Sequence, residues 1–109
     1  AGVAWYGRLV GAKTDLTPVH PVDVAAQLKA PVLGLYGSED SSIPLDTVDQ
    51  MRKALAAAQT NPFAKASSIT VFDKAQHGFH ADYRPTYNSA AAKQAYNQAL
   101  EFLRGKNLI

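Results

Sequence analysis

The sequence predicts an α/β fold in which three parallel strands are flanked by helices. Three observations predict this class. Short apolar stretches typical of strands alternate along the 109 residues with stretches that have helical spacing. Prolines stand where two of the helices would begin. The run from Pro31 to Gly37 is apolar apart from two glycines, as expected of a strand buried on both faces. Strands alternating with helices favour a parallel sheet with right-handed crossovers.

The strands are expected in three places, at residues 2–6, 31–36 and 68–72. The first reads Gly-Val-Ala-Trp-Tyr, is mostly apolar and is stopped by Gly7. The second is the apolar run described above. The third reads Ser-Ile-Thr-Val-Phe and places Ile69 and Val71 on one face.

The first two helices are marked by proline. After a surface loop at residues 8–20, Pro21 opens a short helix that reaches about Leu28. Pro44 opens an amphipathic helix of about fourteen residues. Its apolar residues recur at three- and four-residue steps, at Val48, Met51, Leu55 and Ala58. The residues Thr60-Asn61-Pro62 are expected to end it.

The last helix is alanine-rich and is expected from about Asn88 to Arg104. Gly105 is expected to cap its C-terminus. The apolar stripe of this helix is predicted at four positions, namely Ala92, Tyr96, Ala99 and Leu103.

The composition excludes several classes of protein. The hydrophobic share of 47% is enough for a core, and the net charge of +2 comes from scattered Lys and Arg. This dispersal argues against a nucleic-acid or membrane-surface partner. The absence of Cys excludes disulfides and thiolate metal sites. No apolar run approaches the ~18–20 residues of a membrane span.

The N-terminus reads as a strand that begins abruptly. It has no initiator Met and none of the basic and apolar regions of a signal peptide. We therefore expect a segment cut from a longer chain, with a processed mature N-terminus as the alternative. The compartment stays open, with the cytoplasm preferred over export.

Two polar loops carry the predicted chemistry. Asp40 follows the second strand and His77 follows the third, and groups beyond the carboxyl ends of neighbouring parallel strands lie side by side. A carboxylate there can accept the Nδ1–H of the imidazole, which would then act as a general base. This order of acid and histidine is how α/β-hydrolases present two members of a catalytic triad. Glu39 is the competing acid. Gly37 and Gly78 are expected to allow sharp turns beside the pair.

Further residues are candidates for binding substrate. Arg84 could clamp a substrate carboxylate, or be a solvated arginine or one stacked on a nearby tyrosine. Trp5 and Tyr6 end the first strand at the same sheet edge and could line a pocket or pack in the core. His80 could contact substrate or simply pack. His20 is interpreted as structural, and the three histidines lack the clustered carboxylates of a metal site.

The chain resembles the C-terminal half of the dienelactone hydrolase family, a branch of the α/β-hydrolases. The resemblance covers the chain nearly end to end. It rests on Trp5-Tyr6-Gly7, residues 31–37, Asp40, Ile43-Pro44, His77-Gly78-Phe79-His80, residues 81–85 and Tyr87-Asn88. It implies that residues 1–109 are the C-terminal portion of such a domain, without the nucleophile-bearing N-terminal half. It gives Asp40 the role of the acid, His77 that of the base and, more weakly, Arg84 a substrate-binding role.

The resemblance implies hydrolysis of an ester or lactone through an acyl-enzyme, without a cofactor. The family's nucleophile, Cys or Ser, sits in a Gly-x-Cys/Ser-x-Gly elbow. No such elbow occurs here, and none of the six serines has the flanking glycines. We therefore expect no turnover from this chain alone. We also expect the exposed edge of the first strand to promote self-association or pairing with the missing half.

Two alternative functions stay open on the same fold. One is a non-catalytic module for association or binding, and the other is a carboxylesterase or acyl-peptidase. A glycine-flanked Cys or Ser encoded upstream would favour catalysis over the first alternative. A flavodoxin-like domain is disfavoured because no glycine-rich phosphate loop opens a helix.

Overall fold

The three strands form one parallel sheet with the order β1-β2-β3. The computed structural model describes residues 1–109. The strands are β1 (Gly2–Trp5), β2 (Val32–Gly37) and β3 (Ser68–Phe72). The helices are a 3₁₀ helix (Pro21–Gln27), α1 (Leu45–Ala57), α2 (Pro62–Lys65) and α3 (Ser89–Gly105). The predicted α/β class, the parallel sheet of three strands and the order of the main elements are confirmed.

The central strand β2 separates two layers of core. Leu33 and Leu35 face α3, whose buried alanines bring the helix close to the sheet. The following residue, Tyr36, points to the other side, where Ala25 of the 3₁₀ helix and Val48 and Met51 of α1 cover the sheet. The alternation follows from the two-residue period of a strand. It explains why β2 is apolar along its whole length.

Two details of the helices differ from the prediction. Residues 21–27 form a 3₁₀ helix of seven residues rather than an α-helix, which is long for a helix of this kind. The short helix α2 was not predicted, because Asn61-Pro62 was interpreted only as the end of the preceding helix. The side chain of Asn61 in fact accepts hydrogen bonds from the backbone N–H of Phe63 and Ala64, which makes it an N-cap.

The predicted stripe and cap of α3 were wrong in part. Tyr96 is 51% exposed, and the buried face instead carries alanines at 91, 92, 95 and 99. Gly105 is the last helical residue rather than the cap. The chain reverses two residues later at Asn107, whose φ is 59°, and asparagine is the residue after glycine that most readily adopts this conformation.

No helix combines the length and apolar composition that crossing a bilayer requires.

Candidate active site

The loops that follow β2 and β3 are fastened to each other by backbone hydrogen bonds. The N–H of Ser38 donates to the carbonyl of Phe72 at 2.9 Å, and the N–H of Glu39 donates to that of Ala75 at 2.9 Å. The hydroxyl of Ser38 accepts from the N–H of Lys74 at 2.8 Å. These bonds extend the pairing of the strands beyond the sheet. They hold the loop of the acid and the loop of the histidine in a fixed relation.

The carboxylate of Asp40 is buried, and both of its oxygens make hydrogen bonds. Its side chain is 0% exposed. Oδ1 accepts hydrogen bonds from the backbone N–H of Ser42 at 2.7 Å and of Ile43 at 2.8 Å. Oδ2 lies 2.9 Å from Nδ1 of His77. The turn that follows Asp40 therefore fixes the carboxylate, with one oxygen directed at the imidazole.

The imidazole of His77 is hydrogen-bonded at Nδ1, and its side chain is partly exposed to solvent. A carboxylate can only accept, so Nδ1 donates its proton to Asp40 and the lone pair of the neutral ring is on Nε2. The side chain is 33% exposed. The backbone carbonyl of His77 accepts from the hydroxyl of Thr86 at 2.7 Å. This arrangement can accept a proton at Nε2 while stabilising the resulting imidazolium.

The competing acid does not reach the histidine. Glu39 is exposed, and its backbone rather than its side chain links the two loops. His20 lies elsewhere, with Nε2 2.9 Å from the carbonyl of Ala12. No cluster of three His, Cys, Asp or Glu side chains has the arrangement of a metal site.

Aromatic side chains form one wall beside the imidazole. The ring of Tyr6 lies 5.1 Å from that of His77, with an angle of 61° between the planes. Trp5 packs against His80 at 4.3 Å between ring centroids. Phe79 is fully buried behind Tyr6, at 5.4 Å. Trp5, Tyr6 and His80 therefore stand at the same rim as the Asp40–His77 pair, as expected for strands with parallel carboxyl ends.

Arg84 lies across the glycine that follows His77. A Cβ built on Gly78 would approach Nη1 of Arg84 to 2.5 Å, so the guanidinium packs over that residue. Burial raises the pKa of the Tyr6 hydroxyl, while the positive charge of Arg84 lowers it and Tyr83 raises it. Arg84 is therefore close enough to Tyr6 to influence its ionisation. Its charge lies on the exposed side of the candidate site.

The two loop glycines have different roles. Gly78 has a φ of 76°, which is a left-handed conformation that favours glycine. The chain does turn directly after Gly37, where the N–H of Asp40 donates to the carbonyl of Gly37 at 3.4 Å, but Gly37 itself has no positive φ. Its requirement is space, because a Cβ would lie 2.3 Å from the carbonyl oxygen of Ala75. The contact of Thr86 with His77 was not predicted, because a lone threonine in a loop carries no signal of its partner.

We expect Gly37→Ala to destabilise the chain by about 1–3 kcal/mol, because the methyl group would force apart two loops joined through backbone atoms. Thermal or urea unfolding measures the change. Gly105→Ala is the matched control, since nothing lies within 4 Å of a Cβ there. If Gly37→Ala were as stable as Gly105→Ala, the two loops would accommodate the added methyl group without cost, and the prediction would be wrong.

Comparison with known proteins gives a consistent result. A family model described as "Dienelactone hydrolase family" matches residues 1–106. Proteins named "Putative carboxymethylenebutenolidase" from Methylorubrum extorquens and Salmonella typhimurium are 50% and 53% identical over 95% and 94% of this chain. The match covers 34% and 36% of those proteins, so the chain spans about a third of their length.

Solved structures show the same fold. A structure from Klebsiella pneumoniae described as a "Putative Dienelactone Hydrolase" has a TM-score of 0.86 and 49% identity, covering 94% of this chain and 40% of that one. An esterase from Thermogutta terrifontis has a TM-score of 0.69 at 19% identity, covering 98% of this chain and 43% of that one. This second likeness shows the fold alone. The α/β-hydrolase class expected from the sequence is thereby confirmed.

Proposed function

The chain belongs to the dienelactone hydrolase family, and we propose that it supplies the acid and the general base of an enzyme that hydrolyses ester or lactone bonds. Asp40 is the acid and His77 is the base. The single observation that carries the proposal is the 2.9 Å contact between Oδ2 of Asp40 and Nδ1 of His77. The nucleophile comes from polypeptide outside residues 1–109, so that these residues are the C-terminal portion of the catalytic domain.

In this mechanism the imidazole of His77 acts first as a base and then as an acid in each half of the reaction. Nε2 removes the proton of the nucleophile as it attacks the ester carbonyl, and the carboxylate of Asp40 stabilises the imidazolium. The imidazolium then gives its proton to the leaving alcohol, and an acyl-enzyme remains. The same nitrogen then takes a proton from water as the water attacks the acyl group, and it returns this proton to the departing nucleophile, so that the acid is released and the enzyme is regenerated. The hydrogen bonds from the backbone N–H groups of Ser42 and Ile43 keep the carboxylate of Asp40 oriented throughout.

The chain alone is expected to be inactive. It has no Cys, and each of its six serines lacks the glycines of a nucleophile elbow. Loss of one triad member leaves about 10³–10⁴-fold of the rate over water, and this remainder depends on the oxyanion hole and on binding. Histidine-dependent ester hydrolysis by residues 1–109 would contradict the proposal.

The experiment that tests the proposal is a chimera. Residues 1–106 replace the matching part of the K. pneumoniae protein, 49% identical to this chain, and hydrolysis of p-nitrophenyl acetate is measured beside that parent and beside the chain alone. We expect activity from the parent and the chimera only. A folded but silent chimera, with an active parent, would refute the proposed roles.

The free edge of β1 is the proposed place of association. β1 pairs only with β2, so one row of its backbone N–H and C=O groups has no strand partner. Val3 and Trp5 are only partly buried beside that edge. A strand of the nucleophile-bearing segment, or a second copy of this chain, would complete the sheet there.

Arg84 is proposed to bind a carboxylate on the substrate, with Trp5, Tyr6 and His80 forming the adjacent wall. Its position over Gly78, next to the histidine, supports this role. A substrate carboxylate could accept two parallel hydrogen bonds from the guanidinium. The proposed substrates are therefore esters or lactones that carry a negative charge.

In the chimera, Arg84→Gln is expected to raise KM for a carboxylate-bearing ester about 10- to 100-fold, the value of a charged hydrogen bond. The neutral ester p-nitrophenyl acetate is the control, and its KM should change little. Steady-state kinetics with both esters decide the matter. An equal loss for both would mean that Arg84 acts on the fold and not on substrate charge.

A further inference from the structure

The hydroxyl of Tyr36 is buried in the core, where packing alone does not call for a polar group. Its side chain is 1% exposed and lies over Gly34, where a Cβ would come within 2.9 Å of Cε2 of Tyr36. Phenylalanine would fill the same volume without a polar group to satisfy. The hydroxyl instead donates a hydrogen bond of 2.8 Å to the carbonyl of Gly7. Burial, with a smaller contribution from Asp40, raises the pKa of Tyr36 to about 12, so the donor keeps its proton at neutral pH.

The bond from Tyr36 closes a turn whose backbone is strained. Tyr6 has a φ of 39°, a left-handed conformation that costs free energy for a residue with a large side chain. The N–H of Tyr6 donates to the carbonyl of Leu35 at 2.9 Å. The carbonyl of Gly7, the residue that follows Tyr6, accepts a hydrogen bond from the hydroxyl of Tyr36. Two consecutive residues of β2 therefore hold Tyr6 on both sides, and strained conformations persist where neighbouring contacts determine them in this way.

The strain has a geometric consequence at the candidate active site. The turn places the ring of Tyr6 between Phe79 and His77, at 5.4 and 5.1 Å between centroids. Asp40 fixes the imidazole through a single hydrogen bond at Nδ1. One hydrogen bond leaves the ring free to rock about that contact, and the edge-to-face packing of Tyr6 opposes this motion.

We propose that Tyr36 is a positioning residue, whose hydroxyl holds the turn at Tyr6 and through it the imidazole of His77. The inference rests on the proposed function, because it describes how the general base is aimed. Tyr36 itself would touch neither the histidine nor a substrate and would act only through Tyr6.

The test uses Tyr36→Phe in the full chain, followed by NMR. The carbonyl of Gly7 belongs to an exposed residue, so water can replace the lost donor and the variant is expected to fold. We expect two changes: loss of the strong N–H to Hα NOE within Tyr6 that a positive φ produces, and a shift of the Hδ2 and Hε1 resonances of His77. Tyr6→Leu should shift the same two resonances, because it removes the packed ring directly.

Tyr87→Phe is the matched control, since it removes the hydroxyl of an exposed tyrosine. The proposal is overturned if Tyr36→Phe lowers the thermal midpoint while the Tyr6 NOE and the His77 resonances stay as in the wild type. It is also overturned if Tyr6→Leu leaves the His77 resonances unchanged. Neither readout needs a nucleophile or turnover, so the result stands apart from the chimera's activity.

Discussion

Replacing His77 by alanine in the chimera is expected to lower kcat for p-nitrophenyl acetate about 10⁴- to 10⁶-fold and to leave KM nearly unchanged. The reason is that no other group can take the proton of the nucleophile. Glu39 is exposed and the acid in contact with His77 is Asp40, while His80 packs on Trp5. Steady-state kinetics, with thermal melting to verify folding, measure the effect.

Gln76→Ala is the control for this variant, because Gln76 is an exposed neighbour in the same loop. It should retain the activity of the unsubstituted chimera. A His77→Ala chimera that is folded and loses less than about tenfold would rule out general-base catalysis by this residue, since such catalysis contributes about 10²–10⁴-fold.

Asp40→Asn is expected to lower kcat about 10⁴-fold. The amide oxygen can still accept the hydrogen bonds from Ser42 and Ile43, so the turn survives. The amide nitrogen, a donor, then faces Nδ1 of His77 in place of Oδ2. Nδ1 must accept, the ring proton moves to Nε2, and the nitrogen that faces the nucleophile can no longer remove a proton.

Glu39→Gln is the matched control, because it removes the neighbouring charge without touching the histidine. It should leave kcat close to that of the unsubstituted chimera. If Glu39→Gln lost as much activity as Asp40→Asn, the assignment of the acid would be wrong. Measuring kcat of the two variants over a range of pH would show whether a loss of activity reflects only a shifted pH dependence.

The fold could be predicted to a large extent from local pattern. The apolar run before Gly37 required a buried strand, and the alternation with helices required parallel neighbours. The juxtaposition of Asp40 and His77 followed from that topology, because both come directly after adjacent strands. No contact information was needed beyond the order of the elements.

The features that were missed depend on partners distant in sequence. The bond between Tyr36 and Gly7 joins residues 29 apart, and the contact that requires Gly37 is with Ala75. Neither leaves a periodic signal. Tyr96 was assigned to the core of α3 from spacing alone, but smaller alanines suit the close approach of the helix to Leu35. The tyrosine is left half-exposed near His80, at 6.2 Å between rings.

The most direct test of the proton-transfer pair is to map the acyl group formed by the chimera. The chimera is mixed with p-nitrophenyl acetate, quenched in acid and digested, and the acetylated peptide is identified by mass spectrometry. We expect the acetyl group on a Cys or Ser of the K. pneumoniae segment, and a loss of labelling in the His77→Ala chimera. An acetyl group on a residue of 1–109, or equal labelling rates with and without His77, would contradict the account.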